Sequence, residues 1–215
     1  RITLPGLGPL PTTLLVLLAL RTAADLRELP ATLDPAVLAG AAADARGAQV
    51  LDRNGIALNA TFTNAWNVHD VVALHDVPPF LREAIVTAED KRFYEHGGVD
   101  WAARASALVT NVRNLAAIRG ASTITEQVVR MLHPRPRTVW SRWLEGWEAG
   151  RLERAFGKNE ILEFYLNQVP YASNRHGVQQ AASRYFARDV GTLSEKEMLA
   201  LAVLVRAPSR FDFCT

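Results

Sequence analysis

Residues 89–97 read Glu-Asp-Lys-Arg-Phe-Tyr-Glu-His-Gly, and the rest of the sequence is organised around them. Apolar residues precede this stretch at helical spacing, at Phe80, Leu81, Ala84, Ile85 and Ala88. The spacing predicts an amphipathic helix that delivers Glu89 to solvent or to a cleft at its C-terminal end. A carboxylate in apolar surroundings suits general acid or base catalysis, because desolvation favours its protonated form. The alternative interpretation is a solvated helix end of mixed charge.

The composition predicts one globular domain with a good core and an additional segment. The chain has 215 residues, 49% of them hydrophobic, and 24 Lys+Arg against 22 Asp+Glu. Of the basic residues, 21 are arginine, whose planar guanidinium matches phosphate and carboxylate oxygens. The sequence is therefore compatible with an anionic partner. Its composition is not that of a disordered chain. Cys214, the single cysteine, has no partner for an internal disulfide.

The N-terminal residues 2–20 carry no charged side chain. Their length approaches the ~20 residues that cross a bilayer, although three prolines weaken the first half. We therefore expect residues 1–21 to form a membrane anchor or the end of one; a signal-peptide core and a buried helix are the alternatives. Because the chain starts at Arg1 without a methionine, we also expect it to be a piece of a longer protein.

The remaining chain divides into a connector, residues 22–69, and a helical domain, residues 70–215. Within the connector, Asn54-Gly55 lies between two short apolar runs, which predicts a β-hairpin. The expected fold is mainly α with this one small N-terminal hairpin. Apolar periodicity and Gly/Pro breaks predict seven helices in the domain, at 80–90, 101–114, 123–132, 139–156, 159–168, 177–186 and 194–205.

The predicted helix 139–156 has two apolar faces. One contains Trp140, Trp143, Leu144 and Trp147, and the other contains Ala149, Leu152 and Phe156. Glu145 falls in the second face. Because an unpaired buried charge is costly, Glu145 is either a paired structural acid or a site residue.

A hydroxyl-rich turn precedes the predicted helix 123–132. Residues 120–127 read Gly-Ala-Ser-Thr-Ile-Thr-Glu-Gln, and Thr123 with Glu126 has capping-box spacing. The turn is either a well-capped helix start or a site where hydroxyls and free N–H groups bind an anionic oxygen. Nine arginines against four acids between residues 104 and 154 favour a phosphate-bearing ligand there.

Several chemistries are excluded by missing motifs. The sequence contains no His-Glu-x-x-His, no Gly-x-Ser-x-Gly, no phosphate loop and no Ser-x-x-Lys. Asp90, Glu95 and His96 more often form hydrogen bonds than a metal site, so no protein-bound metal is predicted. Nucleic acid is not the expected partner, because the arginines alternate with helical core positions rather than with stacking aromatics.

The order of motifs resembles that of a known family. Residues 84–97 strongly resemble the first motif of the peptidoglycan glycosyltransferases, glycosyltransferase family 51, and residues 120–127 resemble the second, usually Gly-x-Ser-Thr-Ile-Thr-Gln-Gln. Glu145 lies where the third motif, Arg-Lys-x-x-Glu, has its acid, and residues 161–167 look like the fourth. The resemblance covers residues 70–213, and His-Pro-Arg-Pro-Arg-Thr at 133–138 looks most like the penicillin-binding protein 1C branch.

The resemblance implies a lysozyme-like fold that polymerises lipid II on the outer face of the cytoplasmic membrane, anchored by a single span. Glu89 would be the general base for the acceptor hydroxyl, with undecaprenyl pyrophosphate leaving and the anomeric centre inverted. Glu145 would act on the leaving-group side, orienting cationic groups or a divalent ion such as Mg²⁺ or Mn²⁺. Implied partners are the growing glycan chain, the membrane and other cell-wall synthesis proteins. Implied substrate-binding residues are Asp90, Phe93, His96, Gly97, Ser122, Thr123, Gln127, Arg130 and Arg142.

Two residues depart from the family pattern on the pyrophosphate side. Glu126 replaces a glutamine, adding negative charge, and Ser141 replaces the arginine of the third motif. Phosphate affinity then depends on whether Arg135 or Arg137 reaches the site. The alternatives to an active polymerase are a weakly active relative that binds lipid-linked precursor as a scaffold, and a lytic enzyme that cleaves finished peptidoglycan.

Overall fold

The computed structural model describes residues 9–40, 53, 66–113, 121–172 and 174–206, and it is mainly helical. The predicted hairpin around Asn54-Gly55 and the closing residues 207–215 lie outside the described residues. The elements in chain order are α1 (Pro9–Asp25), α2 (Pro35–Ala39), α3 (Pro79–Glu89), α4 (Trp101–Arg113), α5 (Ile124–Leu132), α6 (Val139–Ala155), α7 (Lys158–Gln168), β1 (Pro170–Tyr171), β2 (Arg175–His176), α8 (Gly177–Phe186), a 3₁₀ turn (Val190–Thr192) and α9 (Glu195–Arg206).

The seven helices predicted for the domain are confirmed as α3 to α9. Each observed boundary lies within one residue of the predicted one. Side chains fix these boundaries: Pro79 occupies the first turn of α3, and the Thr138 hydroxyl accepts a hydrogen bond from the backbone N–H of Ser141 at the start of α6. Ser141, which departs from the family's third motif, is buried in this cap.

Helix α7 is the centre of the core. Seven of its residues are buried, so almost its whole circumference packs against other elements, chiefly α5 and α8. Tyr165, Ile161 and Leu166 are fully buried. Each such apolar side chain contributes roughly 1.5–3 kcal/mol by leaving water. Helix α3 packs against α9, and α5 packs against α6.

A two-stranded antiparallel sheet follows α7 and was not predicted. Pro170 pairs with His176 and Tyr171 with Arg175. Gly177 closes the turn back into α8 with φ of +79°, and a Cβ there would lie 2.3 Å from the carbonyl oxygen of Asn167. Only glycine fits this position, because both the backbone conformation and the contact exclude a side chain. Because each strand has only two residues, the sequence contains no alternation of apolar and polar residues that would predict this sheet.

The predicted burial of the tryptophan face of α6 is wrong in part. Leu144 is buried, but Trp143 and Trp147 are 38% and 51% exposed. The indoles of Trp140 and Trp143 instead donate hydrogen bonds to the end of α1. Along α1 itself, all residues from Thr12 to Arg21 are exposed. None of the helices in the described ranges combines the length and the apolar character that crossing a membrane requires.

Candidate active site

A cleft of about 530 Å³ opens where the end of α3, the start of α5 and the end of α9 meet. Its polar lining side chains are Glu89, Ser122, Gln127, Arg130, Arg137 and Arg206. Four of these were predicted from the sequence as site residues, and the structure brings them together from α3, α5 and the turn before α5. Arg137 and Arg206 complete the lining. The cleft thus has one carboxylate facing a group of three arginines.

Glu89 is the last residue of α3, and its side chain is only 12% exposed. The Gln127 amide donates a hydrogen bond to Oε2 of Glu89 over 2.9 Å. The second oxygen, Oε1, is buried, and no described residue donates a hydrogen bond to it. Arg206 Nε lies 3.9 Å from this oxygen. A buried acceptor without a donor is costly, so Glu89 is ready to accept a hydrogen bond from a ligand hydroxyl.

Gln127 is itself held in one orientation by α7. The hydroxyl of Tyr165 donates to Oε1 of Gln127 over 3.3 Å, which directs the amide nitrogen towards Glu89. Burial raises the pKa of Tyr165 well above its ordinary value, so the hydroxyl remains protonated and remains a donor. This chain of three side chains fixes the Glu89 carboxylate relative to the core.

Asp90, Phe93 and His96 lie behind Glu89 rather than in the cleft. Asp90 Oδ2 accepts hydrogen bonds from the backbone N–H of Ile124 and from His96 Nε2, both over 3.0 Å. Phe93 is fully buried, with the Lys158 ammonium group 4.3 Å from its ring centroid. Asp90 thus joins the end of α3 to the start of α5, and contact of Asp90, Phe93 and His96 with substrate stays a prediction.

Gly97 and Gly98 form the loop that follows these residues. Gly98 has φ of +96°, and a Cβ there would lie 2.6 Å from the carbonyl carbon of Ala149 in α6. At Gly97, by contrast, a Cβ would have no described atom within 4 Å. Close packing therefore requires glycine at position 98, and Gly97, the predicted site residue, does not line the cleft.

Glu145 is a paired acid that holds a cleft arginine. It is 5% exposed, and its two oxygens accept hydrogen bonds from Arg130 Nη2 and Nε over 2.9 and 3.3 Å. Arg130 also reaches the Ser122 hydroxyl over 3.3 Å. The bond to Glu145 raises the pKa of Arg130, so the guanidinium stays charged. The interpretation as a paired acid is confirmed, and this buried pair fixes a cation at the cleft wall. A catalytic role of Glu145 stays a prediction.

Neither Thr123 nor Glu126 lines the cleft, and contact of Thr123 with substrate stays a prediction. The Thr123 hydroxyl donates to the carbonyl of Gly98 and accepts from the backbone N–H of Glu126. Glu126 completes the capping box by accepting from the N–H of Thr123, and it forms an ion pair with Arg104. Burial raises the pKa of Glu126. Its carboxyl group is buried and is not part of the cleft lining.

Of the two arginines predicted as site residues, Arg130 lines the cleft and Arg142 does not. Arg142 is exposed and does not line the cleft, and Arg135 is bound to Glu148. Arg137, which the sequence offered as a replacement for the cation missing at Ser141, lines the cleft. Arg206 comes from the end of α9, and only the packing of α9 on α3 places it near Glu89. Its basic charge in the last helical turn was visible in the sequence, but no local pattern linked it to the site.

The described side chains do not meet the needs of a metal site made by protein alone. In the part of the chain that the structure describes, no three His, Cys, Asp or Glu side chains lie close enough to hold an ion. Glu145, the candidate ligand on the leaving-group side, has both oxygens bonded to Arg130. Positive charge at this side of the cleft is supplied by guanidinium groups.

The fold and the cleft define a helical domain in which one carboxylate and three guanidinium groups line the same cleft. Residues 55–215 match the family model described as Transglycosylase, and the chain belongs to that family. The match confirms the predicted enzyme class, a peptidoglycan glycosyltransferase.

Similar proteins carry penicillin-binding protein names. The chain is 36% identical over 142 residues to penicillin-binding protein 2D of Bacillus subtilis (strain 168), which covers 66% of this chain and 20% of that protein. It is 39% identical over 138 residues to penicillin-binding protein 1A of Neisseria lactamica, which covers 64% of this chain and 17% of that protein. It is 37% identical over 142 residues to penicillin-binding protein 1A of Aquifex aeolicus (strain VF5), which covers 66% of this chain and 20% of that protein. The chain thus spans about a fifth of the length of these relatives.

Proposed function

We propose that this domain polymerises lipid II into glycan strands by inverting glycosyl transfer, with undecaprenyl pyrophosphate as the leaving group. The observation that carries the proposal is the buried oxygen of Glu89, which has no donor among the described residues, in a cleft that also holds Arg130, Arg137 and Arg206. A single displacement needs a base on one face of the sugar and charge stabilisation on the other. The cleft supplies both.

Glu89 accepts the proton of the acceptor's 4-hydroxyl as that oxygen bonds to the anomeric carbon of the growing chain. The bond from this carbon to the pyrophosphate oxygen breaks, and its electron pair leaves with the pyrophosphate. Guanidinium groups already in place stabilise the charge that develops there, at no cost of reorganisation. Gln127 keeps the carboxylate directed at the acceptor through its hydrogen bond to Oε2.

The wider setting is part of the same proposal. Residues 1–21 act as a single-pass anchor that places the domain on the outer face of the cytoplasmic membrane, near other cell-wall synthesis proteins. The segment 133–138 supports a place near the penicillin-binding protein 1C branch, and it contributes Arg137 to the cleft. A divalent ion, if the reaction uses one, enters with the substrate's pyrophosphate, since Mg²⁺ commonly binds through substrate phosphates and one or two carboxylates.

The test is polymerisation of lipid II in detergent by the wild type and by Glu89→Gln. We expect the variant to lose polymerisation while it retains the wild-type unfolding temperature. Glu83→Gln, an exposed glutamate on the same helix, is the matched control and should keep full activity. Full activity of Glu89→Gln would refute the proposal.

The assay also separates the two alternative functions. Affinity of the wild type for lipid II without any polymer would indicate a scaffold that binds the precursor. Release of soluble sugar fragments from finished peptidoglycan would indicate a lytic enzyme.

A further inference from the structure

A cavity of about 640 Å³ lies between α3 and α9 and adjoins the cleft that contains Glu89. Ala88 and Arg206 line both spaces. We call this cavity the α3–α9 groove; residues 80–88 of α3 and 199–206 of α9 bound it. At the shared end, Arg206 Nε lies 3.9 Å from Oε1 of Glu89. A ligand held beside Glu89 can therefore extend into the groove along the protein surface.

One stripe of each helix forms the groove. Phe80, Ala84 and Ala88 recur every four residues along α3. Leu199 and Val203 have the same spacing along α9. From residue 80 to residue 88, at a rise of ~1.5 Å per residue, the groove is about 12 Å long. An extended peptide advances ~3.3 Å per residue, so about three or four residues span this length.

The lining of the groove combines apolar walls with a few polar side chains. Phe80, Leu199 and Val203 are 39%, 49% and 53% exposed. The alanines are less exposed than the other lining residues, so small side chains form the floor. Thr87 and Arg206 add an exposed hydroxyl and an exposed guanidinium. A short peptide with small apolar side chains fits this lining, because its backbone groups need polar partners when they leave water.

The proposed function brings such a peptide to the groove. Lipid II carries a short peptide on its muramyl sugar, a few bonds from the anomeric carbon that reacts beside Glu89. Ala88 precedes Glu89 and lines the groove, so the path from the reacting sugar is short. The lipid chain has another place in that proposal, since it stays in the bilayer that holds α1, and α1 is bonded to α6 through Thr22 and Trp143. The peptide is therefore the part of the substrate that the groove suits.

We propose that the α3–α9 groove binds the peptide of the donor sugar, with its methyl groups on the apolar walls and one of its oxygens at Arg206. The identity of this ligand rests on the proposed function. The contact raises substrate affinity and leaves the chemical step to the cleft. Glu83 also borders the groove, but its carboxylate offers no donor to peptide oxygens, so Glu83 is outside the proposed contact.

Binding is measured without turnover, by calorimetric titration with a soluble muramyl disaccharide that carries the peptide and with the same disaccharide without it. We expect the peptide to increase affinity about tenfold in the wild type, the gain from one charge-assisted contact. Val203→Asp puts a carboxylate on an exposed wall and should abolish this increase, and Leu199→Asp should do the same from the other end. Val37→Asp, on α2 and 61% exposed, is the matched control and should retain it.

The peptide-dependent increase in affinity decides the inference. No increase in the wild type, or an unchanged increase in both groove variants, would overturn it. All three substituted positions are exposed, so we expect the variants to keep the wild-type unfolding temperature.

The contribution to turnover is measured with lipid II that carries or lacks the peptide, in detergent. In Val203→Asp, KM for the peptide-bearing form should rise about tenfold and KM for the peptide-free form less than twofold, with kcat unchanged for both. An equal rise for both forms would overturn the inference, as would a rise that depends on the length of the lipid chain, which would place the lipid in the groove. If the wild type polymerises neither form, the proposed function fails, and the titration still shows whether the groove binds the peptide.

Discussion

Gln127 donates its amide N–H to one oxygen of Glu89 over 2.9 Å and leaves the other oxygen without a donor among the described residues. The two oxygens of the carboxylate therefore have different roles. One is held by the protein, and the other is kept for the substrate. This asymmetry depends on α5 and α7 together, because Tyr165 in α7 orients the Gln127 amide.

Removal of this amide should reduce turnover more than stability. In Gln127→Leu, the carboxylate of Glu89 loses its only donor among the described residues and is free to rotate away from the acceptor. We expect the rate of lipid II polymerisation to fall by about 10²-fold, the effect typical of small misplacements in an active site. The unfolding temperature should change little, because Gln127 is only half-buried. Gln179→Leu, on α8 far from the cleft, is the control and should retain the wild-type rate.

The cleft arginines should differ in their effects on substrate affinity. Arg137→Ala and Arg206→Ala each remove a cation from the cleft, and a charge-assisted contact is worth about 1.5–3 kcal/mol. We expect KM for lipid II to rise at least tenfold in each variant. Arg142→Ala should leave KM unchanged, because Arg142 lies outside the cleft lining. The reverse order of effects, measured in the same steady-state assay, would contradict the site described above.

Stability should decrease in acid through Glu148. Burial tends to raise the pKa of Glu148, but hydrogen bonds from Arg135, His133 and the Arg27 N–H overcome this and lower the pKa from 4.5 to about 2. A lowered folded-state pKa stabilises the fold above 4.5, and this contribution is lost as the pH falls towards 2. After solvent screening, we expect it to be on the order of 2 kcal/mol at neutral pH.

Urea unfolding across this pH range checks the effect. The difference in unfolding free energy between the wild type and Glu148→Gln should be largest above pH 4.5 and should shrink towards pH 2. A difference that does not depend on pH would show that Glu148 acts through packing alone. Glu160→Gln, at the start of α7, offers a comparison variant whose glutamate is exposed.

Substitution by alanine should lower thermal stability at Gly98 and leave it almost unchanged at the adjacent Gly97. Gly98→Ala places a Cβ 2.6 Å from backbone atoms of α6 at a φ of +96°, and strain of this kind costs about 1–3 kcal/mol before any clash is relieved. Gly97→Ala meets no described atom within 4 Å. We expect a clear loss of thermal stability for Gly98→Ala and almost none for Gly97→Ala. Comparable losses in both would contradict the packing of this loop on α6.

The sequence predicted what depends on local pattern. All seven domain helices followed from apolar periodicity and from Gly and Pro breaks, and the Thr123–Glu126 capping box was readable from its spacing. Glu89 was placed correctly because the apolar run ends directly before it. These features are fixed by neighbouring residues, and no knowledge of distant packing is needed to recognise them.

Side-chain positions that depend on packing between distant segments were not predicted. Asp90, Phe93 and His96 share the first motif with Glu89, but the turn after α3 directs them inwards. Sequence proximity therefore did not show which of these residues line the cleft. Arg206 shows the opposite error, since it reaches the cleft only through the packing of α9 on α3.

The ion pair between Arg104 and Glu126 has an evolutionary consequence. Glu126 is buried at 1% exposure, and the guanidinium of Arg104 is the cation that neutralises it. A glutamine at position 126, the residue usual in this motif, would carry no charge for Arg104 to balance. The two positions should therefore covary: relatives with glutamine in the motif are expected to have lost the arginine, and those that retain glutamate to have kept it.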